Sequence, residues 1–163
     1  MAKRYIVYFL IFSIIGWIWE TFLYFLSDGI FVNPGFLLGP WLPIYGFTIV
    51  VFMFISNKCN KPGKRFILYF ISCGLIEYFT SLYLEIIYHA RWWDYSGFLF
   101  NINGRASIEV MLFYSIIGGI CVNYLIPFVD KKVKNRIFNV IIVIVSIIFV
   151  IDLIYSMFNP NIM

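Results

Sequence analysis

The sequence predicts an all-α integral membrane protein, a five-helix transmembrane bundle that forms a single membrane domain over residues 1–163. Two observations predict this fold: 63% of the residues are hydrophobic while only 12% are charged, and the apolar residues are gathered into five long runs. In a soluble globular protein about a quarter of the residues are charged. A chain of this size has no interior large enough to hide so much apolar surface, so lipid is the expected solvent for most of it.

The five apolar runs are the predicted membrane spans. They cover about residues 5–26, 41–56, 66–88, 107–128 and 137–158. A helix needs about 20 apolar residues to cross about 30 Å of hydrocarbon. Four of the runs reach this length, and the second run is shorter.

The distribution of basic residues predicts the orientation, because Lys and Arg concentrate in the cytoplasmic loops of membrane proteins. With five crossings from a cytoplasmic N-terminus, only Arg91 and Arg105 of the 12 Lys and Arg residues lie outside. The others fall on the cytoplasmic side: Lys3, Arg4, Lys58, Lys61, Lys64, Arg65, Lys131, Lys132, Lys134 and Arg136. We therefore expect a multi-pass protein of the cell membrane with its N-terminus inside and its C-terminus outside.

The two predicted outer loops are unusually apolar. The first, residues 27–40, reads SDGIFVNPGFLLGP and contains no Lys or Arg. Exposed loops are normally polar, so we expect this one to lie in the outer interface or to re-enter the protein, where other helices shelter its backbone. The second, residues 89–106, includes Trp92, Trp93, Tyr95, Phe98 and Phe100. Aromatic side chains of this kind settle in the lipid headgroup layer.

Five acidic residues lie in or at the edge of the predicted spans: Glu20, Glu77, Glu85, Glu109 and Asp152. An acidic residue inside a membrane is costly, about 2.5–3.5 kcal/mol for Asp at a helix centre. With a rise of about 1.5 Å per residue, all of them except Glu77 fall in the outer third of the bilayer. The second outer loop adds four ionisable residues on that side: His89, Arg91, Asp94 and Arg105.

The third predicted span contains a polar stripe. Glu77, Ser81 and Glu85 recur every four residues, which places them along one face of a helix. Such a stripe must face the interior of the bundle or a water-filled cavity, since lipid cannot solvate it.

Two interpretations of the polar residues remain open. In the first, they line an acid-rich pocket that opens to the extracytoplasmic side and binds a small polar or cationic solute. In the second, Arg91 and Arg105 form ion pairs with nearby acids and only orient the loops. The charges inside the membrane favour the first interpretation, whose candidate substrate-binding residues are Trp17, Glu20, Tyr45, Glu77, Glu85, Arg91, Trp92, Trp93, Asp94, Asn103, Arg105, Glu109 and Asp152.

The sequence indicates no catalytic set, no metal site and no cofactor. Cys59, Cys73 and Cys121 lack the spacing of a metal site or a disulfide framework, and neither a G-x-S-x-G motif nor a glycine-rich phosphate loop is present. His89, the single histidine, is more typical of a solvated loop residue than of a proton carrier. Basic clusters beside apolar runs indicate contact with the lipid bilayer rather than with nucleic acid.

Five segments of the chain resemble the putative ABC-transporter type IV family, also called the CmpB or transmembrane protein 229 family. They are GWIWE (16–20), NPGFLLGPWLPIYG (33–46), EYFTSLYLE (77–85), RWWDYS (91–96) and NINGR (101–105). The resemblance covers about residues 5–121 and implies a multi-span, permease-like membrane protein without an assigned catalytic residue. The chain departs from the family pattern at Pro34, where the pattern has Arg.

The acid-rich pocket and the resemblance favour a permease-like component of an ABC transporter. The short cytoplasmic loops leave no room for a nucleotide-hydrolysing domain, so we expect a separate transporter subunit or a homo-oligomer as the partner. One alternative is a membrane enzyme that acts on a lipid or lipid-linked substrate at the outer leaflet, with Glu85, His89 and Asp94 as acid/base groups. The other is an accessory or scaffolding membrane protein. Enzyme activity is the less favoured of these functions.

Overall fold

The computed structural model describes residues 2–132 and 136–162, and most of these described residues are helical. The helices are α1 (Ala2–Asp28), α2 (Pro43–Lys58), α3 (Pro62–Tyr88), α4 (Ile108–Ile120), α5 (Ile126–Lys132) and α6 (Arg136–Phe158). A π-helical turn, Cys121–Leu125, joins α4 to α5. Two short strands, β1 (Asn101–Ile102) and β2 (Ala106–Ser107), pair antiparallel.

Four helical segments are long and apolar enough to cross a membrane, and α2 is a shorter apolar helix of 16 residues. The long segments are Lys3–Asp28, Pro62–Tyr88, Ile108–Asp130 and Val140–Phe158. The prediction of an all-α, multi-pass membrane protein is therefore confirmed, and each predicted span coincides with a helix to within a few residues. Lys134, one of the predicted cytoplasmic residues, lies outside the described residues.

The chain forms two compact units, which we describe separately. Unit 1 comprises Met1–Phe47 and Val133–Met163, and unit 2 comprises Thr48–Lys132. Helix α2 begins in unit 1 and ends in unit 2.

The core of unit 1 lies where α1 and α6 pack together with the loop that follows α1. Its buried side chains are Val7, Leu10, Leu37, Trp41, Ile142 and Phe149. The ring of Phe149 meets the rings of Phe9 and Trp41 edge to face, at centroid distances of 5.4 and 5.7 Å. Aromatic pairs prefer this geometry, so the loop is part of the core.

The loop of residues 29–42 folds back along α1. The amide of Leu42 donates to the carbonyl oxygen of Ser13 over 2.9 Å, and Ser13 precedes the last residue of α1 by about 22 Å of helix axis. Leu37 is fully buried. The first turn of α2 therefore lies beside the middle of α1, which explains why α2 is short.

Unit 2 is built on the packing of α3 against α4. Phe52, in the second half of α2, stacks on Tyr69 of α3 with ring centroids 4.1 Å apart. A methyl group at Gly118 of α4 would come within 2.6 Å of the Phe52 ring, and Ser115 is fully buried. Small residues on α4 thus let the aromatic rings approach the helix backbone, as small residues do in membrane bundles.

Candidate functional site

The candidate site residues divide between the two units. Unit 1 holds Trp17, Glu20, Tyr45 and Asp152, and unit 2 holds Glu77, Glu85, Arg91, Trp92, Trp93, Asp94, Asn103, Arg105 and Glu109.

The centre of the polar region in unit 2 is the carboxylate of Glu85, near the end of α3. Arg91 donates from Nε to Glu85 Oε2 over 2.9 Å, and Arg105 contacts the same oxygen with Nη1. The side chain of Arg105 is 11% exposed, whereas those of Arg91 and Glu85 are 35% and 34% exposed. We call these three residues the Glu85 cluster.

The guanidinium of Arg105 is held from several directions. It donates to the hydroxyl of Ser81 over 3.4 Å and lies 6.0 Å from the ring centroid of Tyr78. The indole of Trp93 donates to the Arg105 carbonyl oxygen over 3.0 Å. These contacts place a nearly buried positive charge against the last turns of α3.

A tight turn brings Arg105 to this position. Asn103 and Gly104 have positive φ angles of 53° and 67°, and the amide of Arg105 donates to the carbonyl oxygen of Ile102 over 3.0 Å. Asn-Gly is the sequence that such hairpin turns prefer. The turn is tied to its surroundings, since Asn103 Nδ2 donates to the hydroxyl of Tyr78 over 3.2 Å.

Asp94 lies beside this turn and is bound by neutral donors. Its Oδ1 accepts from the hydroxyl of Ser96 over 2.6 Å and from the Ser96 amide over 2.9 Å. These two hydrogen bonds, helped by the charge of Arg91, lower the pKa of Asp94 below its usual range. The hydrogen bond to Glu85 raises the pKa of Arg91.

Glu109, in the first turn of α4, accepts hydrogen bonds from residues at the two ends of the hairpin. The hydroxyl of Ser107 donates to Glu109 Oε2 over 2.5 Å, and the amide of Phe100 donates to Oε1 over 3.3 Å. Glu109 therefore joins the start of α4 to both ends of the hairpin.

The polar stripe of α3 faces the protein, as the sequence predicted. Glu77 is 7% exposed and Ser81 is 3% exposed. Glu85, at the outer end of the stripe, is half-buried. The stripe therefore descends from the Glu85 cluster to a buried carboxylate near the midpoint of α3.

The two adjacent tryptophans differ in burial, since Trp92 is buried and Trp93 is half-buried. Trp92 is 7% exposed and packs edge to face on Tyr88 at a centroid distance of 6.0 Å. The loop folds onto the end of α3 and buries the Trp92 side chain against the protein. The position of these aromatic rings in the headgroup layer stays a prediction. The exposed large apolar residues of the loop are Phe98, Leu99, Phe100 and Ile102.

The acidic side chains of unit 1 also bind neutral donors. The hydroxyl of Tyr45 donates to Glu20 Oε1, and the Tyr45 ring packs over Gly16 of α1. Trp17 donates from Nε1 to Asn33 Oδ1 over 2.7 Å. The first and second of the family-like segments are thereby bonded to each other.

Asp152 of α6 anchors the loop that folds back along α1. Its Oδ2 accepts from the indole of Trp41 over 2.6 Å and from the amide of Gly39 over 3.0 Å. Ser156 donates to Oδ1 over 3.2 Å. Asn161 adds a second attachment through its Nδ2, which donates to the carbonyl oxygens of Asn33 and Gly35.

Several residues that complete these networks were not among the candidate site residues, although four of them lie in the family-like segments. In unit 1 they are Asn33, Trp41 and Asn161, and in unit 2 they are Tyr78 and Ser96. The Asn-Gly dipeptide was a usable signal for the hairpin. Nothing in the sequence pairs Trp41 with Asp152, which follows it by 111 positions.

In unit 2 the arrangement brings the positive side chains of Arg91 and Arg105 into contact with the negative side chain of Glu85. Among the described residues, no group of three or more His, Cys, Asp and Glu side chains is placed to hold a metal ion. Glu85 and Asp94 each accept strong hydrogen bonds, and the amide of His89 caps α3 by donating to the Glu85 carbonyl oxygen over 3.0 Å.

The model of the family described as Putative ABC-transporter type IV matches residues 7–157 of the chain. No curated protein and no solved structure matches the chain.

Proposed function

We infer the function from the premise that this chain belongs to the putative ABC-transporter type IV family. We propose that it is a permease-like membrane component of a transport system and that it handles a small polar or cationic solute from the extracytoplasmic side. In unit 2, the proposed solute-handling residues are those of the Glu85 cluster and of the polar stripe below it.

The burial of Glu77 is the observation on which this proposal depends. Glu77 is 7% exposed near the midpoint of a 27-residue apolar helix. A carboxylate at that depth is costly and is by default a sign of function in membrane proteins. Ser81 and Glu85 continue the same face of α3 towards the helix end, so the polar stripe connects the Glu85 cluster to Glu77.

The proposal includes an orientation. The chain crosses the membrane five times, and the loop of residues 29–42 and the short α2 together make the second crossing. The N-terminus lies in the cytoplasm. The Glu85 cluster then lies outside, and the lysine-rich connection between α2 and α3 lies inside. The excess of Lys and Arg at that connection supports this orientation, since such residues are retained on the cytoplasmic side.

The proposed partner is a separate transporter subunit or a second copy of the chain. The connection between α2 and α3 is only three residues long, Cys59 to Lys61. It cannot hold a nucleotide-hydrolysing domain, which supports another chain as the source of energy from a nucleotide.

Native mass spectrometry of protein extracted gently with its own lipids tests the proposal. We expect a stoichiometric small molecule or partner chain on the wild type and its loss from Glu77→Gln, which removes the charge at nearly constant volume. The matched control is Asp28→Asn, which removes a charge from an exposed residue at the end of α1 and should leave the occupant bound.

A wild-type chain that carries nothing but loosely bound bulk lipid would contradict the proposal. An occupant that survives in Glu77→Gln would remove Glu77 from the site.

The second candidate is an accessory or scaffolding membrane protein. The observation that favours it is the local pairing of the other acids: Glu85 binds two arginines, and Asp94 and Glu109 bind serine hydroxyls. Such pairing serves folding without a ligand. This candidate predicts a bare chain in the experiment above and a loss of thermal stability in Glu85→Gln.

A further inference from the structure

A basic patch lies at the opposite end of unit 2 from the Glu85 cluster. The segment of residues 58–65, KCNKPGKR, contains Lys58, Lys61, Lys64 and Arg65 and no acidic residue. The lysines are exposed and Arg65 is half-buried. Arg65 and Glu85 lie on the same helix, about 30 Å apart along its axis at 1.5 Å per residue. The basic patch is therefore distinct from the site described above.

The guanidinium of Arg65 is fixed in place between helices. Its Nη1 donates to Asn123 Oδ1 over 2.5 Å, and its Nε donates to the carbonyl oxygen of Cys59 over 3.0 Å. Asn123 is held in turn, because its Nδ2 donates to the carbonyl oxygen of Gly119 over 2.7 Å. An arginine has five N–H donors, more than these two acceptors use.

Asn123 reaches Arg65 from the π-helical turn of Cys121–Leu125. Such turns are rare and occur frequently at functional sites. Here the turn belongs to the helical span Ile108–Asp130, so Arg65 and Asn123 link two membrane-spanning segments at one end of unit 2.

The surroundings of the basic patch are apolar and exposed. Lys58 Nζ lies 4.4 Å from the centroid of the Phe54 ring. Ile67 is 56% exposed and Tyr124, next to Asn123, is 74% exposed. Positive charge beside exposed apolar side chains matches a ligand that has an anionic headgroup and hydrocarbon chains.

We propose that the basic patch and Asn123 bind the phosphate headgroup of an anionic phospholipid, with Arg65 as the fixed donor and the lysines as flexible ones. Arginine donates in pairs to phosphate oxygens, and basic sites between transmembrane helices on the cytoplasmic side bind acidic headgroups. The acyl chains lie along the exposed apolar surface of α3 and of the Ile108–Asp130 span.

Native mass spectrometry of the delipidated full chain in detergent, titrated with phosphatidylglycerol or phosphatidylcholine, tests this proposal. Both lipids contain a phosphodiester, but only phosphatidylglycerol has a net negative charge. We expect one tightly bound phosphatidylglycerol and weaker binding of phosphatidylcholine. Inorganic phosphate in excess should not displace the lipid, because it lacks the acyl chains that lie on the helices.

Arg65→Gln should weaken phosphatidylglycerol binding by about fivefold or more, the effect of one basic residue near an anionic surface. Arg4→Gln is the matched control: it removes the same charge from an exposed position on α1 and should leave the tight site unchanged. Asn123→Ala keeps every charge of the basic patch and releases Arg65, so it should also weaken binding. The Asn123→Ala variant therefore keeps the proposal testable if Arg65→Gln fails to fold.

Three results would overturn the proposal. Equal affinity for the two lipids would show that charge is not recognised. Equal losses of phosphatidylglycerol affinity in Arg65→Gln and Arg4→Gln would show that the lipid is attracted by the overall positive charge and is not bound at one site. Displacement by inorganic phosphate would assign the site to free phosphate.

Discussion

Arg91 and Arg105 bind the same carboxylate oxygen of Glu85 but lie in different surroundings. The Arg105 side chain is 11% exposed, and it also contacts Ser81 and the ring of Tyr78. Arg91 is 35% exposed and its other contact is a 3.5 Å hydrogen bond to the carbonyl oxygen of Asn103. Water can replace the partners of Arg91 more easily than those of Arg105.

We expect Arg105→Gln to destabilise the protein by about 1.5–3 kcal/mol, the range for hydrogen bonds to charged groups. Arg91→Gln, which removes the same charge from the same carboxylate, should change stability far less, because exposed ion pairs contribute little. The measurement is thermal unfolding of the two variants in the same detergent. Equal losses would show that burial does not set the strength of the Glu85 cluster.

Asp94 should make stability depend on pH in a defined direction. Its folded-state pKa lies below the usual 3.8 because Ser96 donates two hydrogen bonds to the ionised form. The stabilisation is therefore fully present above the unfolded-state pKa, and it is lost as pH falls from about that value through the lowered pKa.

The check is the difference in unfolding temperature between the wild type and Asp94→Asn from pH 7 to pH 3. This difference should be constant near neutral pH and shrink at the acid end. Because other carboxylates titrate in both proteins, the comparison isolates Asp94. A difference that stays constant down to pH 3 would contradict the assignment.

Contacts between helices and loops determine where the polar side chains lie in each of the two units. In unit 1, Asp152 on α6 and Asn161 after it attach the loop of residues 29–42, and the loop places the start of α2 beside the middle of α1. In unit 2, the hairpin of β1 and β2 carries Arg105 to the end of α3. Both arrangements depend on close approach of helices, which small residues make possible.

Gly118→Ala should destabilise unit 2 by about 1–3 kcal/mol, the usual cost of overpacking. The added methyl group would lie 2.6 Å from the ring of Phe52, which is fully buried. The adjacent Gly119→Ala is the control, since its methyl group would meet Tyr69 at an ordinary 3.5 Å. That change should be neutral or stabilise the helix by up to about 1 kcal/mol.

Unfolding of both variants in mixed micelles with increasing denaturing detergent measures the two free energies. A loss for Gly119→Ala as large as for Gly118→Ala would mean that the helix tolerates no side chain on this face. The contact with Phe52 would then not be the cause of the stability lost in Gly118→Ala.

The whole chain should have its termini on opposite sides of the membrane. This follows if the loop of residues 29–42 and α2 together complete a crossing, because the number of crossings is then odd. Reporter domains fused to either end test it: a reporter active in the cytoplasm should work at the N-terminus, and one active outside should work at the C-terminus. Both termini on one side would mean that α2 does not complete a crossing.

Much of the fold follows from composition and local pattern. Apolar runs of sufficient length predict the spans, because hydrocarbon excludes unpaired backbone groups and leaves helices as the solution. The period of Glu77, Ser81 and Glu85 was enough to predict which face of α3 is buried, because lipid does not solvate such a stripe. The five segments that resemble a family likewise required no coordinates, and the family model covers them.

The bonding partners of the acids depended on the tertiary structure. Trp41 and Asp152 are 111 positions apart, and Arg105 reaches Ser81 across 24 positions. Local propensity contains no information about such pairs, since they form only when loops close and helices pack. For the same reason, the sequence did not indicate that the packing of the loop on α3 buries Trp92. The residue types in the sequence therefore establish which side chains cost free energy to place in a membrane. The packing of segments that are distant in the chain establishes which hydrogen-bond donors offset that cost.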